Sequence, residues 1–282
     1  MTDFPNTDQA EFWNGRSGLS WITNEQEQDH LLAAASKAVL AAACLSPGER
    51  ILDIGCGTGS LSLEAAKSVG ASGQVLATDI SAPLLRRTSE RAGSLPQITT
   101  HLADAETAEW PQSEFDAAIS RFGVMFFANP TAAFANIARA LKPGGRIVFA
   151  AWAPSAVNLW WHMPNRIASN HLGLPPKTSP HAPGPMGLSD IEWSLNHFRA
   201  AGLIEPRCEV TEITLQHDGG AEGAANLSLR VGPAARIISM FDADAAQIES
   251  IRSEIKSAVS KTEVNGTAQI PATIHLYSAT VP

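Results

Sequence analysis

Three glycines at alternate positions, Gly55, Gly57 and Gly59, stand in the run ILDIGCGTGSLSLEAA at residues 51 to 66, after a short apolar stretch and before a helix-like one. Lacking a Cβ, glycine lets the backbone approach a ligand at the carboxyl end of a strand, where the next helix also presents its amino terminus. A nicotinamide dinucleotide calls for GxGxxG, with a third glycine that permits close packing of helix on strand; Ser60 holds that position. The order found is an acid, Asp53, followed by GxGxG. A second acid, Asp79, follows Gly59 by 20 residues. Such a carboxylate accepts both hydroxyls of a ribose and marks an adenosine without choosing among nucleosides.

Groups able to move a proton lie further along. His162 stands in NLWWHMP (158 to 164) and His181 in GLPPKTSPHAPGPMG (173 to 187). An imidazole can serve as a general base, and a packing or surface role is the alternative for each. Trp13, Trp21, Trp160 and Trp161 are candidates to cover a site or an acceptor, or simply to pack. Nothing near Cys56 in sequence would activate its thiol. Arg86 and Arg87 read as a solvated helix face.

The elements that must position these groups alternate. Residues 8 to 46 read as helical and end in the turn Ser46-Pro47-Gly48. Strand candidates follow at 50–54, 74–78, 97–102, 115–120 and 146–151, with helical stretches at 60–68, 82–92 and 131–141. Strands separated by crossover helices form a parallel sheet covered on both faces. The expected fold class is therefore α/β, doubly wound, with a mostly parallel sheet. After Trp152 the chain becomes rich in Pro and aromatic residues, which reads as a loop-rich lid or insertion at 153–187. A helix is expected at 189–201, a strand at 209–215, a helical segment at 233–260 and a last strand at 272–278, with HDGGAEGAA (217 to 225) as a flexible connection. The organisation expected is a single domain over 1–282, with an N-terminal helical cover at 1–46, a core at 48–152, the lid at 153–187 and a C-terminal part of the sheet at 188–282.

Bulk properties exclude several classes. The 282 residues are long enough for one large domain with a full core. A net charge of −8 argues against a broad nucleic-acid or anionic-lipid footprint. Three scattered cysteines, Cys44, Cys56 and Cys208, suggest neither a disulfide framework nor a zinc site, so no metal is expected. The opening MTDFPNTDQAEFWNG lacks a secretory pattern, and the longest apolar stretch, residues 31 to 45, is short and carries Lys37. The expectation is a cytoplasmic protein with no membrane span, in which the glycosylation-like triplets at Asn226 and Asn265 are chance matches. A homodimer is compatible with the sequence and not required by it.

In series, LDIGCGTG, ATDIS (77 to 81), LADAE (102 to 106), SRFGVMFF (120 to 127) and LKPGGRIVFAAW (141 to 152) resemble the five motifs of the class I S-adenosylmethionine-dependent methyltransferases, over about residues 48 to 152. FWNGRSG (12 to 18) and the stretch from Ser120 to Gly145 resemble the small-molecule branch that includes the ubiquinone and menaquinone methyltransferases. The resemblance implies a Rossmann-like methyltransferase fold with a seven-stranded sheet, S-adenosyl-L-methionine as cofactor and a small-molecule acceptor methylated by direct displacement. It implies a cofactor site of Asp53, Gly55, Cys56, Gly57, Gly59, Asp79, Ile80, Asp104, Ala105, Ser120 and Arg121. Asp79 would hold the ribose, Asp104 and the Ala105 amide the adenine with Ile80 beside it, and Ser120 or Arg121 would border the methionine end. An acceptor pocket would come from the amino-terminal segment and the 153–187 region, which carries His162 and His181. A noncatalytic, regulatory binder of the same nucleoside and a nicotinamide-dependent oxidoreductase are the competing readings; the second leaves Ser60, Asp104 and the Pro143-Gly144-Gly145 turn unexplained.

Overall fold

The computed structural model describes residues 6–93 and 95–282. Four short helices open it: α1 (Thr7–Asn14), α2 (Arg16–Thr23), α3 (Glu25–Leu31) and α4 (Ala33–Ala43). Non-helical backbone at Gly15, Asn24 and Leu32 separates them, so the amino-terminal segment wraps rather than forming one rod. The alternation follows: β1 (Arg50–Ile54), α5 (Ser60–Val69), β2 (Gln74–Asp79), α6 (Ala82–Ala92), β3 (Ile98–Leu102), β4 (Phe115–Arg121), α7 (Pro130–Ala140) and β5 (Leu141–Trp152).

These five strands pair in parallel in the order β3-β2-β1-β4-β5. The chain runs outward from β1 through β2 to β3 and then returns to place β4 on the other side of β1. That reversal opens a crevice beyond the carboxyl ends of β1 and β4, where open α/β sheets bind their ligands. The central strands are apolar on both faces because helices cover both: Ile51, Leu52, Ala117, Ala118, Ile119 and Val148 are all buried. Helix starts on the crevice side are fixed by side chains. The Ser81 hydroxyl accepts from the Leu84 amide at 3.4 Å at the start of α6. Asn129 Oδ1 accepts from the Ala132 amide at 3.1 Å at the start of α7, with Pro130 next to it.

The second half comprises α8 (Leu159–Leu172), α9 (Ile191–Ala200), β6 (Ile204–His217), α10 (Gly220–Ser228), α11 (Pro233–Met240), α12 (Ala245–Val259), β7 (Glu263–Val264) and β8 (Thr267–Thr280). β8 is antiparallel to β5 and β6 antiparallel to β8, which brings the main path to seven strands; the two-residue β7 pairs on β8 beside it. β5 ends with Trp152 opposite Ile274, whereas β6 and β8 stay paired out to His217 opposite Ala268. This ribbon therefore projects past the parallel strands and forms a wall beside the crevice. Phe134, Phe149, Phe198 and Tyr277 pack ring against ring beneath α7 and α9.

Several local expectations change. The segment at 153–187 is not loop throughout, since α8 occupies 14 residues of it. The stretch 233–260 is two helices, interrupted at 241–244, where Asp244 and Gln247 form a capping box that restarts the chain as α12. The stretch 217–225 is not a flexible connection: most of it is α10, with Ala221, Ala224 and Ala225 buried. Gly223 within it makes room for a side chain. A Cβ on Gly223 would lie 2.3 Å from Cε1 of His217, so only glycine admits the imidazole. His217 Nδ1 accepts from the Gly219 amide at 3.1 Å, which leaves the Nε2 proton facing Glu27 Oε2 at 3.3 Å.

Candidate functional site

The glycine loop turns between β1 and α5, and its glycines are needed for distinct reasons. Gly55 has φ +65°, and a Cβ there would come within 2.7 Å of Gly123 Cα, so the loops after β1 and β4 touch backbone to backbone. Gly57 has φ +59° and faces the indole Nε1 of Trp21 at 3.7 Å from its would-be Cβ. Gly59, at the amino end of α5, packs on Thr88. Ser120, buried at the end of β4, ties the two strands together: its hydroxyl donates to the Ile54 carbonyl at 2.7 Å and accepts from the Gly123 amide at 3.1 Å. It shapes the crevice floor.

Asp79 closes β2 with one carboxylate oxygen on the Gly57 amide at 2.8 Å and the other on the Ser81 amide at 2.9 Å. Burial pushes its carboxyl up to about 6, against the lowering effect of those amides. Asp53 is fully buried, and its Oδ2 accepts from the Ser62 hydroxyl at 2.5 Å while Oδ1 has no partner. Burial pushes this carboxyl up to about 7, opposed by Ser62 and by the Arg121 guanidinium. Arg121 reaches Ser36 Oγ at 3.0 Å and Ser60 Oγ at 3.4 Å, and burial lowers it from its ordinary value. Cys56 is buried too, and desolvation holds its thiol protonated, well above the usual range, which matches the absence of an activating group in sequence.

On the β2–β3 side, Asp104 is buried after β3, with Oδ1 on the Glu106 amide at 3.0 Å and Oδ2 on the Asn6 amide at 3.3 Å. The Ala105 carbonyl takes the Asn136 amide group at 3.0 Å, and the Ile80 carbonyl takes that of Asn14 at 3.2 Å. The amino-terminal helices thus lie directly on this edge of the crevice. Trp13 stands edge-on to both Trp21 and Phe126, and its carbonyl accepts from the Ser81 hydroxyl at 2.7 Å.

The clasp that holds α3 in place was not visible in sequence. Glu25, 8% exposed, takes Arg87 through two parallel bonds at 2.9 and 2.5 Å, so Arg87 is not the solvated residue its sequence suggests. Asp29 takes Arg91 at 2.6 Å, and Arg91 in turn donates to the Thr58 carbonyl within the glycine loop at 3.0 Å. On the opposite face, Glu27 meets Arg230 at 2.7 Å and His217. The hint in sequence is that EQEQD and RRTSER carry opposite charge at helical spacing, but nothing in the chain says that they meet.

Beyond β4 and β5, Phe122 has φ +66°, a left-handed backbone that a bulky side chain adopts only under constraint. Its ring stacks on Trp152 at 4.3 Å, and Trp161 packs edge-on to Trp152. Trp160 is buried as core. His162 is exposed on α8. His181 is half-buried, stacks on Trp193 at 4.4 Å and leaves its Nδ1 without a partner. Its loop touches the segment after β4, where the Gly184 amide donates to the Met125 carbonyl at 3.0 Å. The two histidines therefore occupy different surroundings. Among the described residues no group of three or more His, Cys, Asp or Glu is placed to hold a metal ion, and no helix is long and apolar enough to cross a membrane.

A doubly wound sheet with a crevice bordered by GxGxG and a strand-end carboxylate is the Rossmann-like methyltransferase architecture. The phosphoethanolamine N-methyltransferase 2 of Haemonchus contortus shares it, with a TM-score of 0.53 at 19% identity over 88% of this chain and 52% of that one. Residues 51–145 match the family described as the methyltransferase domain. A ubiquinone/menaquinone biosynthesis C-methyltransferase from Paraburkholderia phymatum is 40% identical over 128 residues, 45% of this chain and 53% of that protein. An uncharacterized Mycobacterium tuberculosis protein is 36% identical over 125 residues, 44% of each chain. The matched region thus spans about half the length of these relatives.

Proposed function

We propose that the protein is an S-adenosylmethionine-dependent methyltransferase that acts on a small-molecule acceptor by direct displacement. The observation that carries this reading is the pairing of Asp79 with the Gly57 amide across the mouth of the crevice, within a chain segment that matches the methyltransferase domain. The residues present fit the cofactor. A strand-end carboxylate suits a ribose, a loop of positive-φ glycines admits a thioether or sulfonium close to backbone, and a buried carboxylate oxygen without a donor, Asp53 Oδ1, suits a cationic group. Asp79 would hold the ribose, Asp104 and Ala105 the adenine, and Asp53 and Arg121 the methionine end.

When bound, S-adenosylmethionine supplies a methyl group already activated on a sulfonium, so the chain's own task is alignment and exclusion of water. The amino-terminal helices and the projecting β6–β8 ribbon close the crevice from two sides. The Phe122–Trp152 stack and Trp161 supply apolar wall next to the loop after β4. His181, with an unpartnered ring nitrogen, is the better placed of the two proposed proton acceptors, and the exposed His162 the poorer.

Calorimetry tests the reading. The protein should bind S-adenosylmethionine and S-adenosylhomocysteine and not NAD. Asp79→Ala should weaken both by about ten-fold or more, the range for a hydrogen bond to a charged group. Tighter binding of NAD by the parent, or unchanged affinity in the variant, would refute it. Turnover with an acceptor separates an enzyme from a noncatalytic binder.

A further inference from the structure

Two carboxylate oxygens near the glycine loop lack a hydrogen-bond donor. Asp53 Oδ1 is one, on a side chain with no exposure at all; Asp29 Oδ1 is the other. They come from elements far apart in the chain, β1 and the cover helix α3, yet both act on one guanidinium, that of Arg121. Arg121 Nη2 stands 3.8 Å from Asp29 Oδ1, too far for a hydrogen bond, because its Nη1 is directed to Ser36 and Ser60. The other oxygens of both acids are engaged: Asp53 Oδ2 by Ser62, Asp29 Oδ2 by Arg91. Buried polar atoms in native proteins are almost always paired, and an unpaired one calls for a missing group. Here that group must donate hydrogen bonds and must fit beside a loop built for close approach, since with Arg91 and Arg121 the two acids already face two guanidiniums and a donor is what they lack.

We propose that Asp29 is a cofactor-binding residue: together with Asp53 it receives the α-ammonium group of the amino-acid end of the methyl donor. The inference rests on the methyltransferase reading and deepens it, because it extends the site to a residue of the cover. An ammonium has three N–H donors, enough for both free oxygens at once. Asp29 also holds Arg91 on the Thr58 carbonyl, so the same side chain joins ligand, glycine loop and α3. The cover then closes tightest on a nucleoside that carries an intact amino-acid tail.

The test compares two ligands on the full chain by calorimetry: S-adenosylhomocysteine, and 5′-deoxy-5′-methylthioadenosine, which keeps the nucleoside and sulfur without the amino acid. Asp29→Asn should weaken the first by about ten-fold or more and leave the second within about two-fold. Equal weakening of both ligands means that Asp29 only braces the cover, and no weakening means that it does not meet the ammonium; either result overturns the inference while leaving the function standing. Failure of the parent to bind either ligand overturns both. Should Asp29→Asn not fold, the parent itself decides: N-acetylation of the α-amino group of S-adenosylhomocysteine removes the charge, and retained affinity for that analogue overturns the inference.

Discussion

Asp53→Asn gives the sharpest physical prediction, because it separates what the site costs the fold from what it offers a ligand. Burial raises the Asp53 carboxyl from an ordinary 3.8 to about 7, with Ser62 and Arg121 pulling the other way. A carboxyl raised in the folded state contributes stability that is fully present below the unfolded value and is lost as pH rises through the folded one. Its ionisation should therefore weaken the fold progressively between about pH 4 and pH 7. At 1.36 kcal/mol for each pKa unit, the ceiling is about 4 kcal/mol once the group is fully ionised. Asparagine keeps the shape and the Ser62 contact without the charge, so the variant should gain on the parent as pH rises. For a chain of this size, with about 2 to 4 °C per kcal/mol, the gain is several degrees in Tm between pH 5 and pH 8. Thermal melts of both proteins across that range measure it. A difference between them that stays constant with pH, or that shrinks toward pH 8, would show that attraction to Arg121 outweighs burial and would refute the reasoning.

Other outcomes follow from the same geometry. Near pH 7, where the Asp53 carboxyl is half protonated, an ammonium placed beside it favours the ionised form. S-adenosylhomocysteine binding should therefore release protons, seen as a buffer-dependent enthalpy that 5′-deoxy-5′-methylthioadenosine lacks. Gly57→Val, at φ +59° and facing Trp21, should abolish ligand binding while circular dichroism stays close to that of the parent. Gly223→Ala should destabilise the protein, since its Cβ would lie 2.3 Å from the His217 ring, and the loss should shrink when His217→Ala is combined with it. Hydrogen exchange at residues 8–22 and 153–187 should slow when S-adenosylhomocysteine binds; identical exchange with and without it would remove the cover from the mechanism.

What could be read from the chain divides along a physical line. β1 and α6 fall at the residues expected, and β2, β4 and α5 run one residue past theirs, because buried parallel strands and capped helices write their identity locally in apolar runs, Ser81 and Asn129. The glycines and Asp79 were legible for the same reason: a loop that needs positive φ and a strand-end acid needs those residue types in that order. β6 was foreseen only in part, since it is an edge strand exposed along most of its length, and inward and exposed positions alternate regularly only in its second half, from Thr211 to His217. α10 was missed because its glycines in isolation signal a flexible turn, whereas Gly219 and Gly223 make room for His217 and Gly220, at φ +60°, packs against Glu263. The clasp was missed for a related reason. Glu25, Asp29, Arg87 and Arg91 are each ordinary surface residues in their own helices, and only the path of the amino-terminal segment over α6 turns them into partners. Contacts between elements distant in sequence leave no local periodicity. The contacts of the amino-terminal helices, those of Asp29 included, were therefore hidden, while the glycine loop and the strand-end acids of the sheet were open to view.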